Sequence, residues 1–107
     1  MKVLVLTRSL MDASRFEAVE GTVVSPALAG PVNGFDAVMV DLSSGNLELE
    51  EVRRLVHGCL VGYYPHVRRD LAKAALAAGF DSVLPRSNLM RNGIVDFSRV
   101  GCGAAPQ

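Results

Sequence analysis

The sequence predicts an α/β domain, a parallel sheet with helices on both faces. Two observations carry this. Five short apolar runs rich in β-branched residues recur along the chain, and helical patterns alternate with them. Three of the runs are nearly continuously apolar, as strands covered on both faces are. A length of 107 residues suits one domain. A chain of that size buries roughly two-thirds of its unfolded surface and holds a core without staples.

The first run, "KVLVL" (2–6), is followed by a helical pattern, "LMDASRFEAVEG" (10–21). The second run is "TVVS" (22–25), and the third is "DAVMVDL" (36–42). Only nine residues, "PALAGPVNG" (26–34), lie between them, with Pro26, Gly30, Pro31 and Gly34 among them. A parallel crossover usually needs about a dozen residues or more. The helix after the second strand is therefore expected to be stunted or absent.

"NLELEEVRRLVHG" (46–58) sets Leu49, Val52, Leu55 and Val56 on one stripe, with Glu50 and Arg54 spaced as an i,i+4 pair. Asn46 can cap its start and Gly58 its end. The fourth run is "CLVGYY" (59–64). "HVRRDLAKAALAAG" (66–79) then places Val67, Leu71, Ala74, Ala75 and Ala78 at helical spacing, closed by Gly79. The fifth run is "DSVLP" (81–85), and a last helix, interrupted at Gly93, is expected over 87–99. One domain over 1–100 and a flexible tail over 101–107 complete the reading.

Charge narrows the function classes. Eleven basic residues balance eleven acidic ones, so nothing argues for nucleic acid or an anionic membrane. Arg53-Arg54 and Arg68-Arg69 read as solvated helix faces beside acids rather than a nucleic-acid patch. No apolar run approaches the length of a membrane span, and "MKVLVLTRSL" lacks the features of a signal peptide. Cys59, in an apolar run, and Cys102, in a Gly/Ala tail, do not form a disulfide framework, which favours a reducing cytoplasm. His57, Cys59 and His66 match no strong zinc spacing, so no metal or cofactor is expected there.

One residue carries the question of chemistry. Asp41 ends the third run, and in an open α/β sheet the carboxyl ends of the strands are where ligands bind. The "SSGN" loop follows it. "FDAVMVDLSSGN" (35–46) resembles the third strand of a response-regulator receiver domain with its phosphorylated aspartate, and "AALAAGFDSVLPRS" (74–87) is similar to the receiver segment from helix 4 through strand 5. The resemblance covers residues 2–89. It implies a flavodoxin-like three-layer sandwich, with a five-stranded parallel sheet in the order 2-1-3-4-5 and the second helix truncated or missing.

The departures from the family matter more. Receivers place two acids after strand 1 to hold Mg²⁺; Arg8 and Ser9 occupy those positions here. Tyr64, with Tyr63 before it, stands where receivers carry Ser or Thr, and Arg86 follows Pro85 where they carry Lys before Pro. Val83 replaces the aromatic that many carry on strand 5. Mg²⁺ is usually bound through carboxylates plus phosphate, and an arginine among them repels it. Asp41 is therefore expected to be held by Arg8, Arg86 or both in the former metal site. Strand alternation assigns Tyr63 to the core.

These departures imply a receiver-like regulatory module that works in trans by protein contact, without Mg²⁺-dependent phosphorylation, catalysis or a cofactor. Its partner is unknown; a homodimer through the helix 4–strand 5–helix 5 face is expected, with Leu71, Ala75, Ala78 and 87–97 on that face. One alternative is an atypical phosphorylated regulator using Asp41, assisted by Asp12. Another is a flavodoxin-like domain holding a small anion among Arg8, Ser9, Asp41, Tyr64 and Arg86.

Overall fold

The computed structural model describes residues 1–45, 47–65, 67–100 and 102. Five strands, β1 (Val3–Leu6), β2 (Thr22–Ser25), β3 (Ala37–Asp41), β4 (Leu60–Tyr64) and β5 (Ser82–Pro85), form one all-parallel sheet in the order β2-β1-β3-β4-β5. Three helices, α1 (Leu10–Glu17), α2 (Leu49–Leu55) and α3 (Arg69–Ala77), connect them. This is the flavodoxin-like arrangement, and the helix between β2 and β3 is missing.

The burial pattern explains why the central strands read as unbroken apolar runs. Every residue of β1 and β3 is buried, because both faces of the sheet are covered. Val3, Val5, Ala37, Met39, Val61 and Tyr63 face Phe16 of α1, together with Leu89, Met90 and Val100. Leu4, Leu6, Val38, Val40 and Leu60 face Val52 of α2 and Ala75 of α3. β2 is an edge strand and only partly buried.

The link that replaces the missing helix is irregular and makes one β-bridge. Val32 pairs with Val56 as an isolated parallel bridge; its N–H donates to Leu55 at 2.8 Å and its carbonyl accepts from His57 at 2.8 Å. Leu28, Val32 and Phe35 then pack on the α2/α3 face, so a short strap covers apolar surface that a helix would otherwise cover.

Gly62 lets the centre of the sheet close. A Cβ at this position would lie 2.8 Å from Leu42 Cδ1 and 3.1 Å from its Cγ. Arg53 has a different place from the solvated face expected of it. Its guanidinium donates to the carbonyls of Val56, Gly58 and Gly79 and to Asp81, tying the end of α2 to the end of α3. Its neighbour Arg54 is exposed and pairs with Glu51, not with Glu50.

Three expectations fail after β5. The last helix is absent: a single 3₁₀ turn, Arg86–Asn88, leads into an antiparallel hairpin of β6 (Met90–Arg91) and β7 (Ile94–Val95). Asn92 and Gly93 both have positive φ, 52° and 80°, as the two central residues of a type I′ turn do. A helix 4–strand 5–helix 5 face therefore does not exist in that form, and Ala75, assigned to it, lies in the core. The two cysteines are joined, Cys59 to Cys102, with Cα atoms 5.6 Å apart. The bond removes the argument for a reducing compartment and ties Cys102 down within the expected tail. The rest of that tail, the Asn46 cap and His66 lie outside the described residues. No described helix is long and apolar enough to cross a membrane.

Candidate functional site

The site sits at the carboxyl ends of β1, β3 and β4, beneath the first turn of α1. Parallel register sets Leu6 beside Val40 and Asp41 beside Tyr63. Alternation along the strands then turns Asp41, Tyr63 and Thr7 toward the α1 side of the sheet.

Asp41 is 4% exposed, and both of its oxygens are engaged. Thr7 Oγ1 donates to Oδ2 at 2.7 Å, while the N–H and Oγ of Ser43 donate to Oδ1 at 3.0 and 2.6 Å. Thr7 Oγ1 in turn accepts from the Ser9 N–H at 3.0 Å. The Arg8 N–H donates to Ser44 Oγ at 3.1 Å, joining the β1–α1 loop to the loop after β3. A buried carboxylate is tolerated only with such partners, and here hydroxyls and a backbone amide supply them.

A second buried carboxylate lies alongside. Ser9 caps α1, its hydroxyl accepting from the Asp12 N–H at 3.2 Å. Asp12, in that first helical turn, is also 4% exposed. Arg86 grips it with both arms of the guanidinium, Nε donating to Oδ2 at 3.3 Å and Nη2 to Oδ1. Tyr63 OH donates to the same Oδ2 at 3.2 Å. Met90, at the start of the hairpin, places its sulfur 3.9 Å from Arg86 Nη2.

The electrostatics follow from this geometry. The hydrogen bonds it donates to Asp12 hold the Arg86 guanidinium above its already high ordinary range. Burial pushes the Tyr63 phenol well above its usual value; the charge of Asp41 adds to the effect, and the Thr7 hydroxyl works against it. Tyr63 is therefore a neutral donor between two carboxylates.

The structure sorts the residues singled out in the sequence. Asp41 and Arg86 are at the site, yet they do not pair: Arg86 binds Asp12, and Thr7 and Ser43 bind Asp41. Arg8 has an exposed side chain in no ion pair among the described residues. It cannot occupy a metal site because strand parity turns Thr7, not Arg8, toward Asp41. Ser9 acts as a helix cap. Tyr64 is on the opposite face of the sheet, packed against the α2/α3 core, and Tyr63 takes the place beside Asp41. Tyr63 itself is 1% exposed, the core position that alternation assigns to it. The five residues proposed to hold an anion are thus not brought together.

Arg8 and Ser9 instead help line an open pocket of about 370 Å³ between α1 and β2, with Leu10, Ala13, Val24 and Pro26. Thr7 and Ser43 are the members that sequence reasoning missed. The strict two-residue period from Val3 through Val5 to Thr7 was the signal for the first.

Two buried carboxylates around one tyrosine suggest a cation, but the donor set does not fit one. Asp12 is already neutralised by a bidentate arginine, and the oxygens of Asp41 already accept three hydrogen bonds. Elsewhere, the side-chain ligand atoms of Cys59, Asp81 and Cys102 lie within 4.8 Å of one another, but the two sulfurs are bonded to each other. No protein-family model, no curated protein and no solved structure matches this chain.

Proposed function

We propose that this chain is a receiver-like regulatory module that acts through protein contact and does not use Mg²⁺-dependent aspartyl phosphorylation. One observation carries the reading: the second acid that a divalent ion would need, Asp12, is bound by Arg86. Phosphorylation of Asp41 would have to displace Thr7 and Ser43 from a carboxylate that is 4% exposed. The Arg86 guanidinium, held on Asp12, would oppose the dication on which phosphoryl transfer depends.

Contact with a partner or a second copy has surface to use. Around α3, Leu76 is 50% exposed and Val67 is 82% exposed. Light scattering at micromolar concentration reads self-association directly. Incubation with acetyl phosphate and Mg²⁺, followed by intact-mass measurement, tests the chemistry. The expected result is no phosphoryl adduct. An adduct that disappears in Asp41→Ala would establish the alternative, an atypical phosphorylated regulator.

A further inference from the structure

The last described residues are fastened to the domain in an unusual way. Phe97 stacks on Phe16 of α1 with ring centroids 5.8 Å apart and planes 14° from parallel. Val100 is 6% exposed in the same core, and Cys59, at the foot of β4, packs there too. Backbone pairing contributes little. The Asp96 N–H donates to the Leu89 carbonyl at 2.7 Å, and the remaining bonds are local, Val100 to Phe97 and Ser98 to Asp96. Among the described residues, no backbone hydrogen bond ties 97–100 or Cys102 to the sheet or to α1. Two apolar side chains and one disulfide hold this segment down.

That disulfide is open to reagents at one end. Cys102 is exposed, whereas Cys59 is partly buried against the core. Thiol–disulfide exchange depends on access to one sulfur and on departure of the other.

We propose that Cys59–Cys102 is a thiol–disulfide exchange site, with a dithiol as its substrate class, whose state sets whether 97–100 is fastened over the α1 face of the sheet. One thiolate of the dithiol attacks Cys102 Sγ. The S–S bond breaks, Cys59 leaves as a thiolate and takes a proton, and a mixed disulfide forms on Cys102. The second thiol of the reductant then attacks its own partner sulfur. Cys102 is released as a thiol, and the reductant becomes a cyclic disulfide. Two electrons and two protons have passed to the protein. Among the described residues, reduction leaves the side chains of Phe97 and Val100 to anchor 97–100, so that segment opens from Phe16. The hairpin before it carries Met90, which touches Arg86, so the change reaches the Asp12–Arg86 pair.

The test uses the full chain, oxidised and after dithiothreitol without denaturant, with iodoacetamide labelling and hydrogen exchange read by mass spectrometry. The expected reduced protein carries two labels and keeps its far-ultraviolet dichroism. Its amides over 89–100 exchange at least tenfold faster, while those of β1, β3 and β4 do not change. Cys102→Ser should reproduce that pattern without reductant. The proposal is overturned if the folded protein resists dithiothreitol, or if exchange over 89–100 is the same in both states. Acceleration across the whole sheet would also overturn it, since that marks a general staple and not a local strap.

Discussion

Replacing Arg86 by Met should cost about 1 kcal/mol more than replacing its partner Asp12 by Asn, and the pair should be coupled. Breaking a fully buried ion pair costs about 3–5 kcal/mol, because one charge is left without compensation. The Asp12 side chain is 6% exposed and that of Arg86 is 37% exposed, so solvent screens only one end. Arg86→Met strands a carboxylate in the interior with Tyr63 OH as its remaining side-chain donor, at a cost of about 2–3 kcal/mol. Asp12→Asn leaves a guanidinium that can turn to water, at a cost of about 1–2 kcal/mol. The double variant should recover about 1.5 kcal/mol relative to the sum, since contacting residues couple by 0.5–3 kcal/mol. Urea unfolding at pH 7, followed by circular dichroism, measures all three. Additivity within about 0.5 kcal/mol would refute the pairing, as would an Arg86→Met variant as stable as the parent.

Two further outcomes follow from the same packing. Gly62→Ala forces its Cβ against Leu42, whose Cδ1 would be 2.8 Å away, and should destabilise the domain by about 1–3 kcal/mol as overpacking does; a thermal melt with an unchanged midpoint would contradict that. The Tyr63 phenol is raised above its ordinary 10.0 in the fold, so its share of the phenolate absorbance should be missing until the protein opens. The matching stability is fully present below pH 10.0 and is lost as pH rises toward the higher folded value, so the urea midpoint should fall on the alkaline side.

The sheet was legible in the sequence because strands buried on both faces leave an unbroken apolar signature. The short link from 26 to 34 announced the missing helix, since no crossover helix fits so few residues. The stretch after β5 misled because apolar residues spaced along 89–97 satisfy a helical template loosely. "NG" at 92–93 was the stronger signal, because both residues accept the positive φ of a hairpin turn.

The disulfide was not legible. It joins residues 43 apart, and their contact depends on the path of the hairpin, which the sequence pattern presents as a helix. At the site, Asp41 and Arg86 were identifiable as residues but not by partner. Strand parity decides that Thr7 faces Asp41 and Arg8 does not, and that Tyr63 stands there and Tyr64 does not. Asp12 required knowing that Ser9 starts the helix, which puts the carboxylate under its first turn and within reach of Arg86.

An amide NMR titration with Mg²⁺ and beryllofluoride, which together mimic an aspartyl phosphate, tests directly whether Asp41 can take a phosphoryl group. With Asp41 held by Thr7 and Ser43, and Asp12 held by Arg86, the amides of Thr7, Asp41, Ser43 and Tyr63 should not move when both are added. Shifts at those amides that require both additives together, and that vanish in Asp41→Asn, would contradict the account.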